Sequence, residues 1–305
     1  MSEAAAHPML SLRVQIPFWI CTIIWGTTWI VIRDQLGTVP PSWSVTYRFL
    51  VAGLAMFAYA AWSKEGLRLG RGGQVFAMMF GIAQFVFNFN FVYRAEAHIT
   101  SGLVAVIFAM LIVPNTLLAR AFLGTRATPR FYLGAVVAVA GIALLFLKEY
   151  RDGAASSSNV ALGIGLTLAG VLSASSANIL QATARAKTWS IASLLAWGML
   201  WGMIANAVFA WATVGPPVIE MRPAYLAGVA YLGIMASAVA FMAYFSVIRM
   251  IGPGPAAYSG VITPVLAMLL STLFEGYHWT LLAVTGGVLA MAGLVIALTA
   301  RRPVS

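Results

Sequence analysis

In 305 residues this chain is 61% hydrophobic and only 9% charged, where a soluble globular domain carries about 25% charged residues. The formal charge of +10 invites a nucleic-acid partner, but the 18 basic residues are scattered between apolar runs and form no continuous patch, so they read as topology determinants of a membrane protein. The single cysteine, Cys21, excludes an internal disulfide, and His7, His98 and His278 have no metal-ligand spacing, so neither metal nor cofactor is expected.

Ten windows approach the roughly 20 apolar residues a helix needs to cross a bilayer. They lie at about 14–33, 43–62, 74–93, 98–119, 130–147, 159–183, 190–212, 223–248, 256–275 and 279–299. The first follows Arg13 and resembles a signal peptide, but it is too long and lacks a small-residue cleavage site, so it is expected to stay as a helix. In the second, Arg48 lies near one end. It is expected to snorkel to the interface, pair with an acid such as Glu275, or hold helix carbonyls, ahead of any contact with a substrate carboxylate.

The third window carries Gln84, Asn88 and Asn90. Gln84 and Asn88 share a helix face and Asn90 points nearly the opposite way, so two amides at most face one cavity. Each is either a substrate ligand or helix–helix glue. The segment FVFNFNFVY alternates like a strand, yet the windows are twice the length of a membrane strand, so helices are expected throughout. Pro114 and Pro264, in the fourth and ninth windows, each remove a backbone hydrogen bond and make a hinge or a static kink. The sixth carries Ser173, Ser175, Ser176, Asn178 and Gln181, with Ser175 and Asn178 on one face. Gly198 and Gly202 form a small-residue pair for close packing. Tyr47, Tyr244 and Tyr258 offer hydroxyls or pack, and Gly252-Pro253-Gly254-Pro255 is a turn between windows eight and nine.

Loop charges set the orientation. One side holds Arg13, Lys64, Arg68, Arg71, Arg120, Arg126, Arg130, Arg185, Lys187, Arg249, Arg301 and Arg302 against Glu3 and Glu65. The other holds Arg33, Arg94, Lys148, Arg151 and Arg222 against Asp34, Glu96, Glu149, Asp152, Glu220 and Glu275. Both termini are therefore expected in the cytoplasm. The chain also repeats itself: Gly81-Ile82 recurs as Gly233-Ile234, Gly134 and Gly141 recur as Gly286 and Gly293, and Pro114 matches Pro264. Five spans per half invert the second copy relative to the first, and a substrate site is expected at the midplane where the halves meet. The expected organisation is an all-α polytopic membrane protein. Its repeats are 1–151 and 159–305, with a linker at 152–158 within DGAASSSN.

Several stretches resemble a known family. Trp25-Gly26-Thr27-Thr28-Trp29 resembles the WGxxF-like opening of the drug/metabolite transporter superfamily, EamA type. Pro40-Pro41 and Arg48-Phe49 resemble its short loop and RF step, and Tyr93 to Pro114 its small-residue helix with a proline. Ile262-Thr263-Pro264-Val265, Glu275 and Gly286 to Gly293 resemble the counterparts in its second half. Two features depart from the pattern: Leu123-Gly124-Thr125 stands where the family often has a glutamate, and the spacing from Glu275 to the glycines is longer than usual. The resemblance covers essentially the whole chain. It implies ten helices in two inverted repeats that transport small metabolites. Many relatives export amino acids, one branch aromatic ones, and others move nucleobases, sugar phosphates or cationic drugs.

The expected function is export of a small-molecule substrate, amino acids first, by alternating access across a bacterial-type cytoplasmic membrane. Nucleobase or cation export is the alternative, and a membrane-embedded enzyme or a channel stands further off. No GxxxxGK[ST] loop and no His or acid constellation points to an enzyme. No Asp or Glu falls mid-span, so no embedded proton carrier is expected. The cavity is expected between spans one, three, four, six, eight and nine. Its lining is expected to include Trp25, Gln84, Asn88, Ser175, Asn178 and Tyr244, with Pro114 and Pro264 as hinges. The sequence sets no oligomeric state.

Overall fold

A computed structural model describes residues 11–124, 128–151, 157–251, 256 and 259–299. Residues 152–156 of the expected linker 152–158, the turn at 252–255, Tyr258 and Thr125 lie outside the described residues, as do both chain ends, and Ser157 and Ser158 open a helix. Ten helical spans follow the ten apolar windows: α1 (Leu12–Asp34), α2 (Pro41–Trp62), α3 (Gly70–Ala95), α4 (Ser101–Leu123), α5 (Pro129–Arg151), α6 (Ser157–Ala182), α7 (Ile191–Val214), α8 (Pro223–Ile251), α9 (Ser259–Phe274) and α10 (Leu281–Thr299). Among the described residues there is no strand. Seven of the ten are long and apolar enough to cross a bilayer. The described apolar stretches of α5, α9 and α10 are shorter. Local chemistry fixes several ends. Pro41 and Pro223 start α2 and α8, where a missing N–H costs nothing. The Ser190 hydroxyl caps α7 by accepting from the Ser193 N–H at 3.1 Å. Gly124 ends α4 at φ 69°. Large apolar side chains such as Leu54, Val136, Val208 and Leu273 cover the outside, as a hydrocarbon solvent requires.

The internal repeat is visible in the packing. In chain order α1 to α5 correspond to α6 to α10. α1 packs on α9 and α8, while α6 packs on α4 and α3. α2 meets α8, α3 meets α7, and α2–α7, α4–α9 and α5–α10 pair with their own counterparts. Reciprocal pairing of this kind is what a pseudo-two-fold axis between inverted five-helix halves produces.

The repeated glycines show why. Gly134 and Gly141 of α5 face Gly293 and Gly286 of α10, so closely that a Cβ on any of the four would fall within 3.0 Å of opposing backbone atoms. Small residues that let helices meet backbone to backbone are the means of packing where both neighbours and solvent are apolar.

The second shared feature is a π-helical turn in the middle of α3 (Ile82–Phe87) and of α8 (Ile234–Val239), at the repeated Gly-Ile pairs. A π turn disturbs the regular hydrogen-bond ladder, and side chains take up carbonyls in both turns. In α3, Ser173 Oγ donates to the Ala83 carbonyl at 2.8 Å, Asn206 Nδ2 to Phe85 at 2.9 Å and Asn90 Nδ2 to Val86 at 2.9 Å. In α8, Trp25 Nε1 donates to the Ala236 carbonyl at 3.1 Å. The first helix of each half thus bonds the π turn of the other.

Replacing Gly141 by Val is expected to push α5 from α10 and cost about 1–3 kcal/mol or more, as overpacking does. Gly287→Val, where no atom lies within 4 Å of an added Cβ, serves as the control. Thermal melting of the detergent-solubilised protein measures both, and equal melting temperatures for the two variants refute this account of the glycines.

Candidate functional site

A cavity of about 120 Å³ lies where the two halves meet. It is lined from α1, α3, α4, α6, α8 and α9, as expected, and also from α2 through Arg48. Its walls are mostly apolar, with six aromatic residues among them: Trp25, Trp29, Phe89, Phe108, Phe241 and Tyr244. The Trp25 ring packs edge-on to Tyr244 at 4.9 Å and to Phe241 at 5.3 Å, and Trp29 leans on Phe108 at 5.5 Å. Polar groups are few: Thr28, Arg48, Gln84, Asn88, Asn115, Asn178, Ser259 and Thr263. Among the described residues, buried Arg48 Nη1, Gln84 Oε1, Asn88 Oδ1 and Thr263 Oγ1 have no hydrogen-bond partner. Buried polar atoms ordinarily find one, so four such atoms around one cavity mark it as a place for a polar guest.

Of the residues singled out in the sequence, Trp25, Gln84, Asn88, Asn178, Tyr244 and Pro264 line this cavity. The Trp25 indole N–H is already committed to the Ala236 carbonyl, so Trp25 offers its ring face only. Asn178 Nδ2 approaches Asn115 Oδ1 at 3.5 Å, joining α6 to α4 across the cavity edge. Asn90 is turned away and acts as glue. It bonds Asn206 Oδ1 at 2.6 Å, and its own Oδ1 accepts from Arg94 at 2.7 Å.

One residue expected in the lining, Ser175, is not there, and Pro114, expected as a hinge, is not part of it. Ser175 is fully buried with an unpartnered Oγ, but the cavity face of α6 is Ala174 and Asn178. Those two lie about 40° apart on a helix, and Ser175 is rotated about 100° from Ala174. Pro114 also lies outside it, although Ala109, Leu111 and Ile112 just before it belong to the lining, and α4 tightens to a 3₁₀ turn at Ala109–Leu111. Pro264 sits within the continuous α9 and cannot donate to the carbonyl of Gly260, which also lines the cavity.

Arg48 corrects the sequence reading. It does not snorkel: the side chain is buried, at 1% exposure. Nε donates to Ser237 Oγ at 2.9 Å in the π turn of α8, and the guanidinium lies over the Phe89 ring at 4.2 Å. Nor does it bond Glu275. That carboxylate accepts from Ser101 Oγ at 2.7 Å and from Ser271 Oγ, with Arg33 Nε at 3.7 Å. Thr28, Asn115, Ser259 and Thr263 were not singled out as ligands. The legible signal for them was a polar side chain within an apolar window, beside Trp29 for Thr28 and next to a proline for Asn115 and Thr263.

Where α1, α3, α4 and α9 end together, Arg33 Nη1 also donates to the Glu96 carbonyl. The Glu96 carboxyl is wholly buried and neither oxygen accepts a hydrogen bond from the described residues. Burial pushes this carboxyl well above the ordinary carboxylate range, nearby Glu275 adds to the rise, and Arg33 and Arg48 oppose it.

The EamA-like transporter family model matches the chain twice, over residues 16–147 and 161–299, one match to each half. Protein PagO of Salmonella typhimurium is 26% identical over 270 residues, covering 88% of this chain and 87% of that one. A protein of Escherichia coli described as the uncharacterized inner membrane transporter YedA is 28% identical over 258 residues, covering 83% and 80%. A solved crystal structure at 18% identity superposes with a TM-score of 0.70 over 93% of this chain and 96% of that one, which shows a shared fold.

The raised Glu96 carboxyl has a sign. The folded protein holds this proton more tightly than the unfolded chain does, so stability falls as pH climbs above the unfolded value of about 4.3. Glu96→Gln keeps the neutral form at every pH. Its melting temperature in detergent is expected to exceed the wild-type value by more at pH 8 than at pH 5. A difference that does not change with pH contradicts the burial argument.

Proposed function

Because this chain belongs to the EamA-like transporter family, a family of multi-pass membrane carriers of the drug/metabolite type, we propose that it exports small metabolites, amino acids foremost, by alternating access. The observation that carries this reading is the position of the cavity. It lies between the halves, walled by helices of both, and holds buried polar atoms without partners among the described residues. A rocking of the halves opens such a site to one side and then the other. Trp25 and Tyr244 supply aromatic faces to the cargo, and Gln84, Asn88 and Asn178 supply amides. Ser175 backs Asn178 from behind the lining. Pro114 and Pro264 act as hinges, since α4 and α9 each lose backbone bonding beside the cavity. The halves divide at 152–158, and the protein sits in a bacterial-type inner membrane with both termini in the cytoplasm. No reaction chemistry is assigned to it. Nucleobase or organic-cation export is the alternative within the same fold.

Counterflow in proteoliposomes tests this reading, using a panel of amino acids, nucleobases and organic cations. Trans-stimulated uptake of an amino acid is expected. Asn88→Ala is expected to lower it about tenfold, the loss of one or two hydrogen bonds. Asn90→Ala is expected to cost stability first. Uptake of every panel member without trans-stimulation points to a channel, and no uptake at all rejects the transport assignment.

Orientation is tested separately. Reporters fused after Ser157 and Ser305 are expected to report exterior and cytoplasm. The same side for both breaks the five-plus-five arrangement.

A further inference from the structure

We propose that Arg48 is the anion-binding group of the central cavity, so that the transported molecule carries a carboxylate. The proposal rests on the reading of this cavity as the transport site. A guanidinium taken out of water needs partners of opposite charge or several acceptors. Arg48 has the Ser237 hydroxyl at 2.9 Å, the faces of Phe89 at 4.2 Å and Phe49 at 5.7 Å, and the Tyr93 hydroxyl. All of these are neutral, and Nη1 has none. The acid that acts on it electrostatically is Glu96, whose carboxyl oxygens accept no hydrogen bond from the described residues.

The internal repeat supplies an independent argument. Gly81 and Gly233 are equivalent, and each packs on a carbonyl of the opposite half. An added Cβ at Gly81 would strike the Gly198 carbonyl, and one at Gly233 would sit 3.0 Å from that of Arg48. Arg48 is therefore the structural counterpart of Gly198. Its partner Ser237 is the counterpart of Phe85, 152 residues earlier. In the other half the same place is filled by hydrocarbon: a Cβ on Gly198 would meet Phe80 at 2.9 Å and Phe85 at 3.4 Å. The fold closes this position with a glycine and an aromatic ring, so it does not require a cation and a hydroxyl. The charged version occurs once, on the cavity wall.

The remaining lining completes the chemistry. Gln84 Oε1 and Asn88 Oδ1 are free acceptors for an ammonium or another N–H donor, and the aromatic walls suit an apolar body. A carboxylate beside an N–H donor on an apolar frame matches an apolar α-amino acid. Purely cationic cargo meets the positive charge of the guanidinium.

The test uses the full-length protein and pairs differing at the carboxyl group: L-leucine against L-leucinamide and L-phenylalanine against L-phenylalaninamide. Counterflow and thermal stabilisation of the wild type are expected to favour each acid at least about tenfold, the scale of one charge-assisted hydrogen bond. Arg48→Lys is expected to keep part of the preference and Arg48→Gln to bring the acid-to-amide ratio near one. Equal handling of acid and amide by the wild type overturns the assignment while the transport reading stands. So does an unchanged ratio in Arg48→Gln when both activities fall together, since that is a structural loss. Failure of acids and amides alike, in both measurements, removes the transport reading and this assignment with it.

Discussion

The structure depends on a crossed pair of hydrogen bonds. The first helix of each half donates a side-chain hydrogen bond to a carbonyl in the π turn of the other: Trp25 to Ala236 and Ser173 to Ala83. A π turn in hydrocarbon is tolerable only if the carbonyls it disturbs are answered, because no water is there to answer them. These two bonds tie α1 to α8 and α6 to α3, the contacts that bring the halves together around the cavity. Trp25 and Ser173 each deliver a donor at the distance their helix packing sets. The tryptophan does a second job, since its ring remains as cavity wall.

Polar residues in the spans then sort by whether their hydrogen bonds are made. Asn90, Asn206, Arg94 and Ser42 form a continuous set across α2, α3 and α7, with Arg94 Nη2 on Ser42 Oγ at 2.8 Å and Asn90 on Asn206 at 2.6 Å. That set is satisfied and structural. Gln84 and Asn88, on the opposite face of the same helix, are left with open acceptors. Fully connected networks rigidify, whereas open groups at a cavity await a ligand. One helix thus does both jobs, and the π turn between Ile82 and Phe87 holds its two faces against different neighbours.

Much of this was legible in the residues. Bilayer thickness imposes length, so the ten windows appear in hydropathy alone. Close helix contact imposes glycine, so Gly134, Gly141, Gly286 and Gly293 disclosed the repeat before their packing was seen. The 100° step of a helix separated Asn90 from Gln84 and Asn88. The π turns were not legible, because the Gly-Ile pairs that begin them carry no signal of a widened ladder. Glu96 read as a loop charge, since a five-residue connection ordinarily faces water. Four converging helix ends bury it instead.

Arg48 shows where sequence reasoning ends and why. A cation near a helix terminus snorkels when the path to the interface is open. Whether it is open depends on what packs above it, and here α8 brings Ser237 and α3 brings Phe89 against the guanidinium. Neither neighbour is close in sequence. The repeat would have helped only with its register known to the residue, because Arg48 aligns with Gly198 at a spacing of 150 while the π turns align at 152. A two-residue shift between α2 and α3 places a charge opposite a glycine or opposite a leucine, and only packing decides which. Inverted repeats pair equivalent positions, yet the two halves contribute different side chains to this cavity. Exchanging a glycine and a ring for an arginine and a serine on one side of the axis introduces that asymmetry without disturbing the glycine contacts at Gly81 and Gly233 that hold the halves in register.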